Sequence, residues 1–236
     1  MNNMITSKPA PRKASWTVYR ETLLFAALAL VTAGVTLMVR SGFGISVASS
    51  MPYVFSLHFT QLSFGTWTFI AYTAVFLLML VLIRHFEWIY MISFAMSFIV
   101  GLFSDLFKFL WSFLPEIKPL FIVYYLAGWC LLSLGIASFI KSGLPPAPYE
   151  LFIREISRFK NIPVSRAKTY FDLGCLTTSL LFLLLVVRQF VGIGIGTVVS
   201  GLLNGTVVGF WLKGMNSRFK MKVLFSFWPI QDQSFS

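Results

Sequence analysis

Charge is scarce in this chain. Only 11% of its 236 residues are Asp, Glu, Lys or Arg, against ~25% in ordinary soluble domains. Acidic residues are the rarer part: eight Asp and Glu stand beside nineteen Lys and Arg. So thin a polar complement cannot cover a water-soluble fold, because large apolar patches would meet solvent. Cysteine is nearly missing too. Cys130 and Cys175 both fall in apolar runs, and their spacing fits neither a disulfide framework nor a zinc site. Each reads as a small buried hydrophobe. No Ser-His-Asp order, phosphate-binding Gly-Lys loop or cluster of metal ligands is visible, and His58 and His85 lie in different segments. The chain is therefore expected to be no enzyme, and to need no metal and no cofactor.

Hydrocarbon is what the chain has in excess. It is 57% hydrophobic and 17% aromatic, with 26 Phe and a mean hydropathy of +0.80. That composition marks an integral membrane protein, with the lipid bilayer as its first partner. Six apolar runs, at 22–40, 65–83, 88–112, 120–140, 169–187 and 191–212, approach the ~20 residues that a helix needs to cross about 30 Å of hydrocarbon. The expected fold class is an all-α polytopic membrane protein. Arg84-His85-Phe86-Glu87 and Arg188-Gln189-Phe190 are short enough to join their flanking spans as tight hairpins.

The net charge of +11 does not point to nucleic acid, because the basic residues punctuate the ends of apolar runs. With a cytoplasmic N-terminus, only Arg40, Lys108, Lys118 and Arg188 fall outside, and all other Lys and Arg fall inside. The positive-inside rule then sets both termini in the cytoplasm of a bacterial inner membrane. Residues 1–21 resemble the basic region of a signal sequence. The apolar run that follows exceeds a usual signal core, so an uncleaved first span is expected.

The second half repeats the first. Gly34-Val35-Thr36-Leu37-Met38-Val39-Arg40-Ser41-Gly42 reads again as Gly135-Ile136-Ala137-Ser138-Phe139-Ile140-Lys141-Ser142-Gly143. Each copy holds three spans, and an odd number forces the second copy to enter the membrane from the opposite side, a common plan of secondary transporters. The expected organisation is a cytoplasmic tail over 1–21, one three-helix repeat over 22–114, its inverted copy over 115–213, and a cytoplasmic tail over 214–236.

Each repeat has a long connection after its first span. Residues 43–64 carry no formal charge, which suits a re-entrant or interfacial segment better than an external loop. In the second copy, Pro145, Pro146 and Pro148 break any continuous helix. Tyr149 to Lys160 then reads as an amphipathic helix with Tyr149, Phe152, Ile153, Ile156 and Phe159 on its apolar face. Glu150, Arg154, Glu155 and Arg158 lie mostly on the other face, with Glu150 and Arg154 spaced for an ion pair. That helix reads equally as an anchor among lipid headgroups.

Polar residues inside spans need a reason. Asp105 stands three residues before Lys108, so an intrahelical pair is available. Asp172 stands about one turn into the fifth expected helix, where the helix dipole favours a carboxylate. Asn204 is the deepest polar side chain of the sixth. It lies among Gly201, Gly205 and Gly209, whose spacing allows close helix packing. Glu150, Asp172, Asn204 and Asp105 form the candidate solute or ion path, and Arg40 and Lys141 flank its entrances.

Several segments together resemble the YczE/YitT-like family of bacterial integral membrane proteins, closest to its YczE branch. The resemblance covers about residues 22–212. Its carriers are Arg40 to Ser46, Leu62 to Trp67, Ile99 to Phe107, Lys141-Ser142-Gly143 through Pro148-Tyr149-Glu150, Ser165 to Asp172 and Val191 to Thr197. It implies a six-helix inner-membrane protein with an acidic residue at Glu150 and at Asp172. Where the family places a Pro-x-acidic element in both repeats, the first copy here has Ser46-Val47-Ala48. The expected function is a small secondary transporter or solute permease. The alternative is a membrane scaffold or regulator that binds a partner through its basic cytoplasmic loop.

Overall fold

The structure is a computed structural model, and it describes residues 16–144, 147–188 and 192–222. Its elements are β1 (Trp16–Tyr19), α1 (Arg20–Ser41), α2 (Val47–His58), α3 (Phe64–Ile83), α4 (Ile89–Ser112), α5 (Lys118–Ser142), α6 (Pro148–Lys160), α7 (Val164–Phe182), α8 (Ile195–Arg218) and β2 (Phe219–Lys222). A π-helical turn, Leu183–Val187, extends α7. Six of the eight helices are long and apolar enough to cross a membrane; α2 and α6 are the short ones. The two long connections are thus themselves helices. Among the described residues, each half of the chain contributes three long helices and one short one.

Local chemistry sets the boundaries. Gly42 and Gly143 end α1 and α5 in the left-handed conformation, at φ 69° and 64°, where a Cβ would be strained. Pro148 opens α6 at a position whose N–H has no helical partner. Arg84 and Arg188 close α3 and the π turn, also left-handed, at φ 54° and 56°. Ser63 caps α3 by accepting the Thr66 N–H at 3.0 Å.

The centre is a seam of glycines between α1 and α5. A Cβ on Gly34 would lie 2.5 Å from the Leu132 nitrogen and 2.6 Å from the Gly128 oxygen. One on Gly135 would lie 2.8 Å from the Val31 nitrogen. Only small residues let two backbones approach this closely. Around the seam, α1 also packs on α4 and α5 on α8. The short helices cross over: α2 packs on α7, and α6 on α3. The main apolar cluster draws on α1, α3, α4, α5 and α6, with Ala48 of α2 packed against it.

The expected packing face on α8 is corrected by the structure. A Cβ on Gly201 would lie 2.9 Å from Val47 Cγ2, but one on Gly205 or Gly209 would meet nothing within 4 Å. A glycine serves close approach only where a second backbone arrives, and none does there. Cys130 is likewise exposed, while Cys175 is buried. The β1–β2 pair was outside the all-α expectation. It is parallel, with Trp16 opposite Phe219 and Tyr19 opposite Lys222, so the two ends of the described chain lie side by side.

Candidate functional site

A small crevice of about 40 Å³, partly open to its surroundings, lies among α2, α5, α7 and α8. Ser46, Val47 and Ala48 at the start of α2 form one wall, with Leu132 of α5 beside them. Lys168 and Asp172 come from α7; Ser200, Gly201, Asn204 and Gly205 come from α8. At about 1.5 Å per residue, Asn204 lies well inside its span rather than at an end.

Asp172 is the chemical focus. Its Oδ2 pairs with the Lys168 ammonium at 3.0 Å, one turn back on the same helix. Its Oδ1 is buried and has no hydrogen-bond partner among the described residues. An orphaned buried carboxylate oxygen is unusual in a folded protein, because the lost hydration has to be made good by something. Asn204 faces the same space. Its Oδ1 accepts from Ser133 Oγ at 2.9 Å and from Trp129 Nε1 at 3.2 Å, which ties α8 to α5. The helix-dipole reading of Asp172 is corrected: α7 begins at Val164, so Asp172 lies beyond the first turn, where that effect fades.

Glu150 does not line the crevice, but lies within electrostatic reach of both Lys168 and Asp172. Crowding by surrounding protein pushes its carboxyl up from the ordinary value. Its own backbone N–H and Lys168 pull it back, and the Asp172 charge adds to the rise. Its side chain is nevertheless exposed at the surface, so retained water limits that rise. The expected Glu150–Arg154 pair is not formed. Arg154 instead donates from Nε to Glu155 at 3.1 Å, and Arg158 adds a second cation to Glu155 at 3.4 Å. Glu155 is thereby buried together with Leu151 and Ile153, while Phe159, expected on the apolar face, is exposed.

The other expected path residues lie elsewhere. Asp105 accepts from Ser63 Oγ at 2.5 Å and from the Gly65 N–H at 2.7 Å. It is a cap on α3, and the expected pair with Lys108 is absent among the described residues. Arg40 clamps the α4–α5 connection, bonding Glu116 at 2.6 Å and the Leu114 carbonyl at 2.8 Å. Lys141 bonds Asn216 near the end of α8 at 2.5 Å. Both cations tie the end of a first helix to the end of a fourth, and neither lines the crevice.

The match to known families now has its structural frame. The chain belongs to DUF6198, a family of unknown function. The match runs over residues 18–213, which takes in the crevice and nearly all of the six spans of this DUF6198 member. No curated protein and no solved structure matches the chain.

Residue-type reasoning overlooks part of the site. Ser46, Trp129 and Ser133 carry no signal by themselves. Lys168 and Asp172 do, because their four-residue spacing is that of a helical ion pair.

Proposed function

We propose that this chain is a small secondary transporter or solute permease of the bacterial inner membrane, with both termini in the cytoplasm. The observation that carries the reading is the unpartnered Oδ1 of Asp172 in an open crevice beside Asn204. A solute or ion that supplies a donor there satisfies an oxygen that the protein leaves unsatisfied. The site, rather than the architecture, bears the weight.

The architecture supports it through a proposed inverted repeat, now of four helices per copy. The element order long, short, long, long occurs twice. Left-handed residues fall at equivalent places, Gly42 with Gly143 and Arg84 with Arg188. Packing is exchanged between the halves, α2 on α7 and α6 on α3. Ala48 and Tyr149, each the second residue of its short helix, share one apolar cluster, so the starts of α2 and α6 converge. Short helices meeting inside a bundle are how many transporters bring helix dipoles to a solute. The resemblance to the YczE/YitT-like family and the bias of basic residues toward one side agree with this reading.

The test is a thermal-shift screen of the purified protein against metabolite pools, because a ligand that binds only the folded state raises its melting temperature. A solute that stabilises the wild type and fails to stabilise Asp172→Asn supports the site. Full stabilisation of Asp172→Asn by the same solute would remove Asp172 from it.

A further inference from the structure

The two short helices begin differently. Pro148 opens α6 with no N–H to satisfy, and the Glu150 carboxylate takes its own backbone N–H. The start of α6 therefore carries its own anion. In α2 no acid stands in the first turn, and the Ser46 side chain caps nothing. The N–H groups of Val47 and Ala48 have no partner among the described residues. Free N–H groups at the positive end of a helix dipole attract an anion, and Val47 and Ala48 are a wall of the crevice.

The other walls, on α7 and α8, are polar. Lys168 and Asp172 cancel in formal charge, and their pair uses one carboxylate oxygen, Asp172 Oδ2. Oδ1 stays buried without a donor. Asn204 adds a donor. Trp129 Nε1 can only donate, so it fixes the Asn204 amide with its oxygen toward α5. The NH2 group is left without a partner among the described residues. The crevice thus combines an acceptor that lacks a donor with donors that lack an acceptor, and its formal charge favours a lone ion of neither sign. Size is the other limit. A single water needs about 10–15 Å³ of cavity, so a partly open crevice of about 40 Å³ admits a molecule of only a few heavy atoms.

We propose that the crevice binds a compact zwitterion, an amino acid of glycine's size, with its carboxylate on the uncapped start of α2 and its ammonium on Asp172. The inference deepens the reading of the crevice as a solute site and rests on it. The ammonium supplies Oδ1 with the donor it lacks. The carboxylate takes at α2 the place that Glu150 takes for itself at α6. A zwitterion brings both charges without adding net charge inside the spans, where an unbalanced ion is costly.

The test is binding of radiolabelled glycine to the full chain in phosphatidylcholine nanodiscs. Unlabelled glycine should displace it. Acetate and methylammonium, each with one end only, should need roughly tenfold higher concentrations or more, and leucine should not compete. Ser49→Glu gives α2 a carboxylate of its own, at a half-buried position outside the crevice lining. It should weaken glycine binding roughly tenfold, while Ser49→Gln binds as the wild type. Asp172→Asn should weaken glycine binding to a similar degree. The competition arm uses the wild type alone and so does not depend on any variant folding. Equal glycine binding by Ser49→Glu and Ser49→Gln, or displacement by acetate as readily as by glycine, would overturn the zwitterion. Absence of glycine binding would overturn it too, while an Asp172-dependent thermal shift with another solute still upheld the crevice. Glycine binding undiminished in Asp172→Asn would overturn the crevice reading itself.

Discussion

Gly34→Ala is the sharpest probe of the packing. A single added carbon would meet three backbone atoms of α5: Leu132 N at 2.5 Å, Gly128 O at 2.6 Å and Leu132 Cα at 2.9 Å. Ordinary contact begins at 3.4 Å, so something has to move by nearly an ångström. No side-chain rotamer can relieve the clash, because every obstructing atom belongs to a helix backbone. The seam must open, and separation loosens contacts along α1 and α5 together. Overpacking of this kind costs about 1–3 kcal/mol. Opposing it, alanine favours helix over glycine by about 1 kcal/mol. The clash wins, with a net loss of up to about 2 kcal/mol. Gly205→Ala is the matched control, since its Cβ enters open space and only the propensity gain of up to about 1 kcal/mol remains. Melting followed by tryptophan fluorescence in nanodiscs should rank Gly205→Ala at or above wild type and Gly34→Ala below it. Gly34→Ala melting at or above wild type would refute the account of the seam.

The other predictions test topology, capping and charge. In a background with both cysteines replaced, Lys160→Cys should react with an impermeant thiol reagent only from the cytoplasm, and Lys118→Cys only from outside; the reverse pattern would invert the assignment. Asp105→Asn should lower stability by about 1–2 kcal/mol through loss of the charge-assisted cap on α3, read as a lower melting temperature, with solute binding intact. Glu150 holds its proton more tightly when folded than when unfolded, because crowding raises its carboxyl from 4.5. Its ionisation therefore subtracts stability as pH rises through and above that value. Glu150→Gln should melt like the wild type near pH 4 and above it near pH 8, and a gap that closes with rising pH would show the opposite sign.

The spans are legible in the sequence because hydrocarbon thickness leaves little choice of length. The runs at 65–83 and 88–112 fall within a residue of α3 and α4. Partners distant in sequence are less legible. Lys108 is the local candidate for Asp105, yet its bond goes to Ser63, 42 residues away. Glycine is ambiguous in the same way. Gly205 and Gly209 have the spacing of a packing motif and border open space, whereas Gly34, Gly128 and Gly135 make the close contacts. The residue permits either outcome, and the arrival of a second backbone decides. On α6, periodicity places Glu155 with the polar face; pairing with Arg154 and Arg158 lets it be buried. Asp172 and Asn204 stand out as polar residues inside spans, and the fold brings both to one crevice. Their neighbours Ser46 and Lys168 come from α2's start and from α7, a juxtaposition that only tertiary structure creates.

Water in the crevice is the most direct test of a solute path, and it needs no knowledge of the solute. Ser46 lines the crevice and its hydroxyl caps nothing, so Ser46→Cys changes little else. Ser50, fully buried and bonded to Ser179 at 2.9 Å, is the dry comparison. In membrane vesicles of the cysteine-free background, a charged, impermeant thiol reagent should modify Ser46→Cys and spare Ser50→Cys, because thiolate formation needs water. Ser46→Cys that stays unmodified from both sides would mean a dry crevice, and a transporter built around Asp172 would be contradicted.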